Sequence, residues 1–307
     1  MSKHVVWTQW DDLEVPEGIT RLSPANRPLE SSDLSDITFY VPSYMGGRTA
    51  LEFSKKMSSL QILQMPNAGY DDAMEFVRPG ITLCNGRGIH DASTAELAVG
   101  LTIASLRGFP FFALSQAKSE WNHKKFRSMN DRKIGLIGYG SIGKNIERNL
   151  SGFDVEVIPF NRSGSDGAKK ISQLDENLAD LDVVILILPL NDESRKMFDA
   201  ARLAKMKDGA LLVNVARGAI VDTDALITEL KSGRITAALD VTDPEPLPSD
   251  HPLWQTPGVF IAPHVGGNTS IFESRARKLI QQQLQKLASG LPLANVIVSK
   301  EESLTSA

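Results

Sequence analysis

KIGLIGYGSIGKNIERNL, residues 133–150, is the stretch whose reading decides the fold. KIGLIG (133–138) has the length and apolar content of a buried parallel strand, and the residues after Gly143 continue as a helix. GYGSIG (138–143) joins the two, and each glycine there has a separate task. Gly138 makes a tight turn, Gly140 lets a pyrophosphate approach the backbone, and Gly143 lets the helix pack close to its strand. The helix N-terminus offers unpaired N–H groups to phosphate. Gly138, Tyr139, Gly140, Ser141, Ile142 and Gly143 are therefore the candidate cradle for a dinucleotide.

A bare Gly-x-Gly-x-x-Gly carries little weight, so its setting matters. Downstream, VEVIPF (155–160), DVVILIL (182–188), ALLVNVA (210–216), TAALD (236–240) and GVFIAP (258–263) read as further strands. Helical patterns fill the gaps; DTDALITELKSG (222–233) starts with an Asp cap and ends at Gly233. This alternation predicts a doubly wound parallel sheet of the Rossmann kind.

Upstream, HVVWT (4–8), DITFYV (36–41), LQILQM (60–65) and ITLCN (81–85) read as strands of a smaller α/β domain, with a helix over Arg48–Met57. A long helix follows near Ser93, where Ser93 and Glu96 form a capping-box pattern. Its apolar positions run nearly all the way round, which suits burial between domains or subunits. The amphipathic helix from about Ser270 to Ser289, stopping at Gly290, cannot form a domain alone and is expected to return to the first one. The expected fold class is α/β in two domains. The dinucleotide-binding domain (93–269) is inserted in a discontinuous, flavodoxin-like substrate domain (1–92 and 270–307).

With 307 residues, two domains are the natural expectation. The net charge of −4 gives no field that would gather nucleic acid or an anionic membrane. No apolar run approaches the ~20 residues that span a bilayer, and MSKHVVWTQWDDLEVPEG lacks the core of a signal peptide. One cysteine, Cys84, cannot pair within the chain and reads as a small buried apolar residue. The ending SKEESLTSA reads as a solvated tail. The expectation is a soluble cytoplasmic protein.

After the second strand of the motif, the position where NAD enzymes place a ribose-binding acid holds Asn161, followed by Arg162 and Ser163. An Asp would repel a 2′-phosphate, whereas these three offer donors and one fixed positive charge. That favours NADP(H), with NAD(H) possible; the alternative is that Arg162 only stacks over an adenine. Three strand ends then carry charged groups on the side where such sheets bind ligands. Arg217 lies in NVARGAIVD (214–222), Glu245 in ALDVTDPEPLP (238–248) and His264 in APHVGG (262–267).

Taken together, these segments resemble the D-2-hydroxyacid dehydrogenase family. The similarity covers nearly the full chain, including PNAGYDD (66–72), HDASTAEL (90–97), ILPLNDESRKMFDAARLAKMKDGALLVNVARGAIVD (187–222) and GLPLANVI (290–297). The resemblance implies a hydride transfer between a nicotinamide and a small 2-oxo or 2-hydroxy acid. It implies that Arg217 clamps the substrate carboxylate, that His264 donates a proton to the carbonyl oxygen, and that Glu245 orients His264 and raises its pKa. It further implies that Asp240 holds the nicotinamide carboxamide and that Leu188 and Pro189 lie along the cofactor. Backbone N–H groups of Ala68 and Gly69 would bind the substrate carboxylate from the other domain, with closure of a cleft; Gly69 also reads simply as a turn glycine.

VTDPEPLPSDHPL (241–253) and the Asn161-Arg162-Ser163 triplet are most similar to glyoxylate/hydroxypyruvate reductases. D-3-phosphoglycerate dehydrogenase is the alternative, but Pro42-Ser43-Tyr44-Met45 supplies no cation for its phosphate and nearby Arg48 lies in a helical pattern. Glu245 stands where formate dehydrogenases carry Gln. If Trp7, Trp10, Tyr44 and Met45 line the cleft, a bulkier or aromatic 2-oxo acid fits; if they are packing, it does not. A dinucleotide-sensing, corepressor-like binding protein is the reading from another class. The resemblance also implies a homodimer through the helix from Ser93 and the segment around Trp121.

Overall fold

The computed structural model describes residues 4–305. The first three residues and the last two, the ends of the N-terminal stretch and of the tail, lie outside the described residues. The chain divides into two units, residues 91–269 and residues 1–90 with 270–307.

The discontinuous unit holds strands β1 (His4–Trp7), β2 (Ile19–Leu22), β3 (Phe39–Tyr40), β4 (Ile62–Gln64), β5 (Thr82–Cys84) and β13 (Val296–Val298), and helices α1 (Gly47–Glu52), α8 (Phe272–Ala288) and α9 (Lys300–Thr305). The sheet order is β13-β5-β4-β3-β1-β2, parallel except that β13 runs antiparallel to β5. The order β2-β1-β3-β4-β5 is that of flavodoxin-like sheets. β1, β3, β4 and β5 are nearly continuous apolar runs because both of their faces are covered. Trp7, Tyr40, Leu63 and Leu83 belong to one layer, while Val6, Phe39, Ile62 and Phe272 belong to the other.

Several expectations change here. β2 and β13 are additional strands at the sheet edges, and β3 keeps only two residues of the stretch 36–41. The helix expected over 48–57 begins at Gly47 and tightens into a 3₁₀ turn over Phe53–Lys56. The described part of the expected solvated tail is ordered. Ser299 and Glu302 cap α9 reciprocally, and buried Ser303 accepts the Gly80 N–H at 3.0 Å.

The second unit holds β6 (Arg132–Ile137), β7 (Val155–Asn161), β8 (Lys169–Lys170), β9 (Val183–Leu186), β10 (Leu211–Asn214), β11 (Thr236–Leu239) and β12 (Val259–Ile261). Its helices are α2 (Asp91–Leu106), α3 (Phe109–Ala117), α4 (Ser141–Leu150), α5 (Leu174–Asn177), α6 (Ala200–Ala204) and α7 (Thr223–Lys231). All seven strands are parallel in the order β12-β11-β10-β9-β6-β7-β8, so the winding reverses between β6 and β9. Ligands bind beyond the strand ends at such a switch point, which is where GYGSIG follows β6.

α2 starts at Asp91, two residues before the expected cap, so Ser93 is a buried residue of its first turn. The capping box read at Ser93 and Glu96 is therefore not the helix start. α2 packs on α4 and on β10 and β11. Gly108, at φ +68°, breaks the chain into α3, which is bent by 66° from α2. No single helix among the described residues is long and apolar enough to cross a membrane.

Candidate active site

The GYGSIG turn is held from both sides. The N–H groups of Gly138 and Tyr139 donate to Phe160 O at 2.9 and 3.0 Å. A Cβ on Gly138 (φ +108°) would stand 2.7 Å from Leu188 N, so this glycine lets the end of β9 cross directly beside the turn. A Cβ on Gly143 would stand 2.7 Å from Gly138 O. Gly140 differs, because nothing in the protein comes within 4 Å of where its Cβ would be. α4 has no side-chain cap, which leaves the N–H groups of its first turn, at Ser141, Ile142 and Gly143, available. An open glycine beside an uncapped ten-residue helix fits the pyrophosphate of a dinucleotide. Tyr139 donates its hydroxyl to Glu147, and Lys144 lies 5.8 Å over its ring. Leu188 is half-buried, and Pro189 is exposed with its carbonyl accepting from Ser194 Oγ at 2.7 Å.

At the end of β7, Asn161 builds its own turn. Its Oδ1 accepts the Gly164 N–H at 2.6 Å and its Nδ2 donates to Ser165 O at 3.0 Å. Ser163 Oγ lies 2.8 Å from Ser165 Oγ. Arg162 projects into solvent, 82% exposed, and pairs with Glu193 at 2.8 Å.

The three charged residues singled out from the sequence converge in this unit. Arg217 follows β10, and Asn214 wraps the turn that presents it. Asn214 Nδ2 donates to Arg217 O at 3.0 Å while Oδ1 accepts the Ala216 N–H at 3.0 Å. Arg217 Nη1 donates to Ala216 O at 2.7 Å. A Cβ on Gly218 would lie 2.0 Å from the Thr242 carbonyl carbon, so only glycine lets the Arg217 turn press against the loop carrying Glu245. Pro244 and Pro246 restrict the backbone on both sides of Glu245. The Thr242 N–H reaches Glu245 Oε2 at 3.4 Å.

Glu245 Oε1 is hydrogen-bonded to His264 Nδ1. This bond holds the imidazole above its ordinary pKa, against burial and the charge of Arg217. Burial pushes Glu245 up, but the hydrogen bond and charge of His264 outweigh it, and its carboxyl lies below the usual range. His264 itself sits at φ +52°, a left-handed conformation fixed by its neighbours. Its N–H donates to Asp240 O at 2.7 Å, and buried Asp240 receives the Val265 and Gly266 N–H groups at 2.7 and 3.1 Å. Burial raises the Asp240 pKa despite those two donors. A carboxylate–imidazole pair with one ring nitrogen engaged leaves Nε2 as the position at which a proton can be given or taken.

In the other unit, Ala68 and Gly69 lie in the loop after β4. Asn85 Nδ2 donates to Ala68 O at 2.7 Å, and Asn67 Nδ2 donates to Gly69 O at 3.1 Å. Trp7 and Trp10 are buried core residues. Tyr44 stacks on Phe272 at 3.6 Å between ring centroids, and Met45 is exposed. Arg48 pairs bidentately with Glu75. Reading the sequence missed Asn214, Gly218, Thr242 and Asn85. The Asn closing the strand ALLVNVA was the one available signal, since Asn at a strand end commonly bonds to nearby backbone.

A family model described as D-isomer specific 2-hydroxyacid dehydrogenase, NAD binding domain, matches residues 99–266. The glyoxylate reductase of Thermofilum pendens is 32% identical over 258 residues, covering 79% of this chain and 76% of that protein. The D-3-phosphoglycerate dehydrogenase of Methanocaldococcus jannaschii is 30% identical over 82% of this chain, which spans 50% of that protein's length. Among solved structures, a D-isomer specific 2-hydroxyacid dehydrogenase family protein from Klebsiella pneumoniae superposes with a TM-score of 0.79 at 26% identity, over 98% of this chain and 99% of that one. The glycine turn at the sheet's switch point, the Arg, Glu and His at its strand ends and these matches agree: the chain belongs to the D-isomer specific 2-hydroxyacid dehydrogenase family and is an NAD(P)-dependent oxidoreductase.

Proposed function

We propose that the protein reduces a small 2-oxo acid of the glyoxylate or hydroxypyruvate class to the D-2-hydroxy acid with NADPH. The observation that carries this reading is the His264–Glu245 pair with the charge of Arg217 acting on both. The nicotinamide, when bound, supplies the hydride. His264, charged because Glu245 accepts its Nδ1–H, gives the Nε2 proton to the carbonyl oxygen and ends neutral, still oriented by the same bond. Arg217 binds the substrate carboxylate with its planar fork; in the other unit, the N–H groups of Ala68 and Gly69 are carboxylate donors. Asp240 anchors the backbone that presents His264 and would hold the nicotinamide carboxamide, with Leu188 and Pro189 as further cofactor contacts.

NADP(H) preference rests on Arg162. An exposed ion pair such as Arg162–Glu193 contributes about 0–1 kcal/mol, so a 2′-phosphate carrying more than one negative charge displaces Glu193. Asn161 supports this by carrying no charge and by shaping the turn that holds Ser163. The small-acid reading is supported by the burial of Trp7 and Trp10, which removes most of the proposed aromatic lining, and the pairing of Arg48 with Glu75 removes the cation a phosphorylated substrate would need. A homodimer is supported by the apolar outer surface of α3 and the segment after it, where Phe109 and Leu114 are exposed and Trp121 is 98% exposed. A cytoplasmic setting suits the lone thiol of Cys84.

The test is oxidation of NADPH and of NADH, followed by absorbance against glyoxylate, hydroxypyruvate, pyruvate, phenylpyruvate and 3-phosphohydroxypyruvate. Fast turnover of NADPH with the first two, and little with NADH, is expected. Preference for phenylpyruvate or the phosphorylated acid would overturn the substrate assignment, and equal use of NADH would overturn the role of Arg162.

A further inference from the structure

We propose that Asn85, backed by Gln64 and Gln283, is a positioning residue for substrate: it aims the N–H of Gly69 at the substrate carboxylate. This rests on the reading above that the loop at 68–69 binds that carboxylate. A trans peptide carries its C=O and N–H on opposite sides. Asn85 Nδ2 holds the Ala68 carbonyl at 2.7 Å, so the N–H of the same peptide unit, on Gly69, points the other way. The units on either side are tied likewise, with Asn67 O accepting the Gly86 N–H at 2.7 Å and Gly69 O accepting from Asn67 Nδ2. Among the described residues, the N–H groups of Ala68, Gly69 and Tyr70 donate to nothing.

Asn85 is itself fixed. Its Oδ1 accepts the Arg87 N–H at 3.2 Å, so its amide cannot turn over without losing both bonds. Its carbonyl receives Gln64 Nε2 at 3.1 Å, and Gln64 Oε1 receives Gln283 Nε2 at 2.7 Å. Gln283 is pinned in turn by the N–H and C=O of Ala294, at 2.8 and 2.9 Å. All three side chains are buried, Gln64 and Gln283 completely. Apolar residues would fill this space without the cost of burying amides. What amides add is direction, because a fully satisfied buried network selects one arrangement. Gly86 allows the close approach this needs, since a Cβ there would stand 2.8 Å from Asn67 N.

Asn85→Asp keeps the shape and the bond from Arg87 but turns an oxygen toward Ala68 O. Asn85→Ala removes the donor without burying a charge, and it supplies the same readout if the Asp variant does not fold. In the full-length enzyme, we expect KM for glyoxylate and the inhibition constant of oxamate to rise about tenfold, the loss of one hydrogen bond to a charged group. Kd for NADPH and kcat should stay within about twofold. Gly69→Pro, which deletes the N–H itself, is the control. If it raises KM while folded Asn85 variants do not, the loop still binds substrate and the positioning role is wrong. If Gly69→Pro also leaves KM unchanged, the loop does not bind the carboxylate and both readings fall. A parallel loss of NADPH affinity in the Asn85 variants would mark a merely structural role and overturn the proposal.

Discussion

The loop at 66–70 and the cluster of Arg217, Glu245 and His264 fix their working atoms by opposite means. In the loop, neutral amides hold carbonyls so that peptide N–H groups face outward. In the cluster, ionised side chains hold one another, and their protonation states depend on that contact. With the proposed roles, the difference separates pH-independent recognition from pH-dependent chemistry. Changes in the loop should alter substrate affinity at every pH, whereas changes in the cluster should alter rate and its pH dependence.

The sharpest break of that contrast is His264→Gln, which keeps a polar group but removes the transferable proton. Turnover should fall by about 10²–10⁴, the usual worth of a general acid, with NADPH binding and melting temperature nearly unchanged. Near wild-type turnover would move the acid elsewhere. Gly218→Ala forces the Arg217 turn away from Thr242, because the added Cβ meets backbone that cannot swing aside. It should lower both kcat/KM and melting temperature, which steady-state kinetics and a thermal scan together reveal. Arg162→Ala should weaken NADPH about tenfold and leave NADH unchanged, the difference being one charge-assisted contact. Equal losses with both cofactors would mean that Arg162 stacks on the adenine instead. The smallest effect is expected at Cys84, fully buried, its thiol pushed up to about 12 by burial despite a hydrogen bond with Gln283. A thiol reagent should leave the native enzyme active and unlabelled, and label it only on unfolding.

Much of this was legible along the chain wherever a residue's task is local. The glycines of GYGSIG follow from the demands of a strand–turn–helix joint, and Asp222 caps α7 by accepting the Ala225 N–H, as its position predicts. The α/β class and the doubly wound, parallel character of the second sheet follow from alternation, and the flavodoxin-like character of the first from the resemblance. Long-range tasks left weaker traces. Gln64 and Gln283 meet across 219 residues, and nothing near either marks the other. β2 and β13 lie at sheet edges and are short: β2 (ITRL) is interrupted by polar residues and β13 (VIV) is only three residues long. The start of α2 was misplaced because Ser93 and Glu96 have cap spacing but lie inside the helix, Ser93 in its first turn. Likewise Arg162 was legible as a cation, yet its partner Glu193 lies 31 residues away.

The pH dependence of glyoxylate reduction in the wild-type enzyme and in Glu245→Gln tests the central claim most directly. In the proposed mechanism reduction needs protonated His264, and Glu245 raises the pKa of that imidazole. Activity should therefore be full at low pH and fall as pH rises through the raised value. Without the carboxylate the imidazole loses its proton at lower pH, so the falling limb of kcat/KM should move to lower pH in Glu245→Gln. An unmoved limb, with the variant folded and binding NADPH, would contradict the assignment of His264 and Glu245 as the proton-transferring pair.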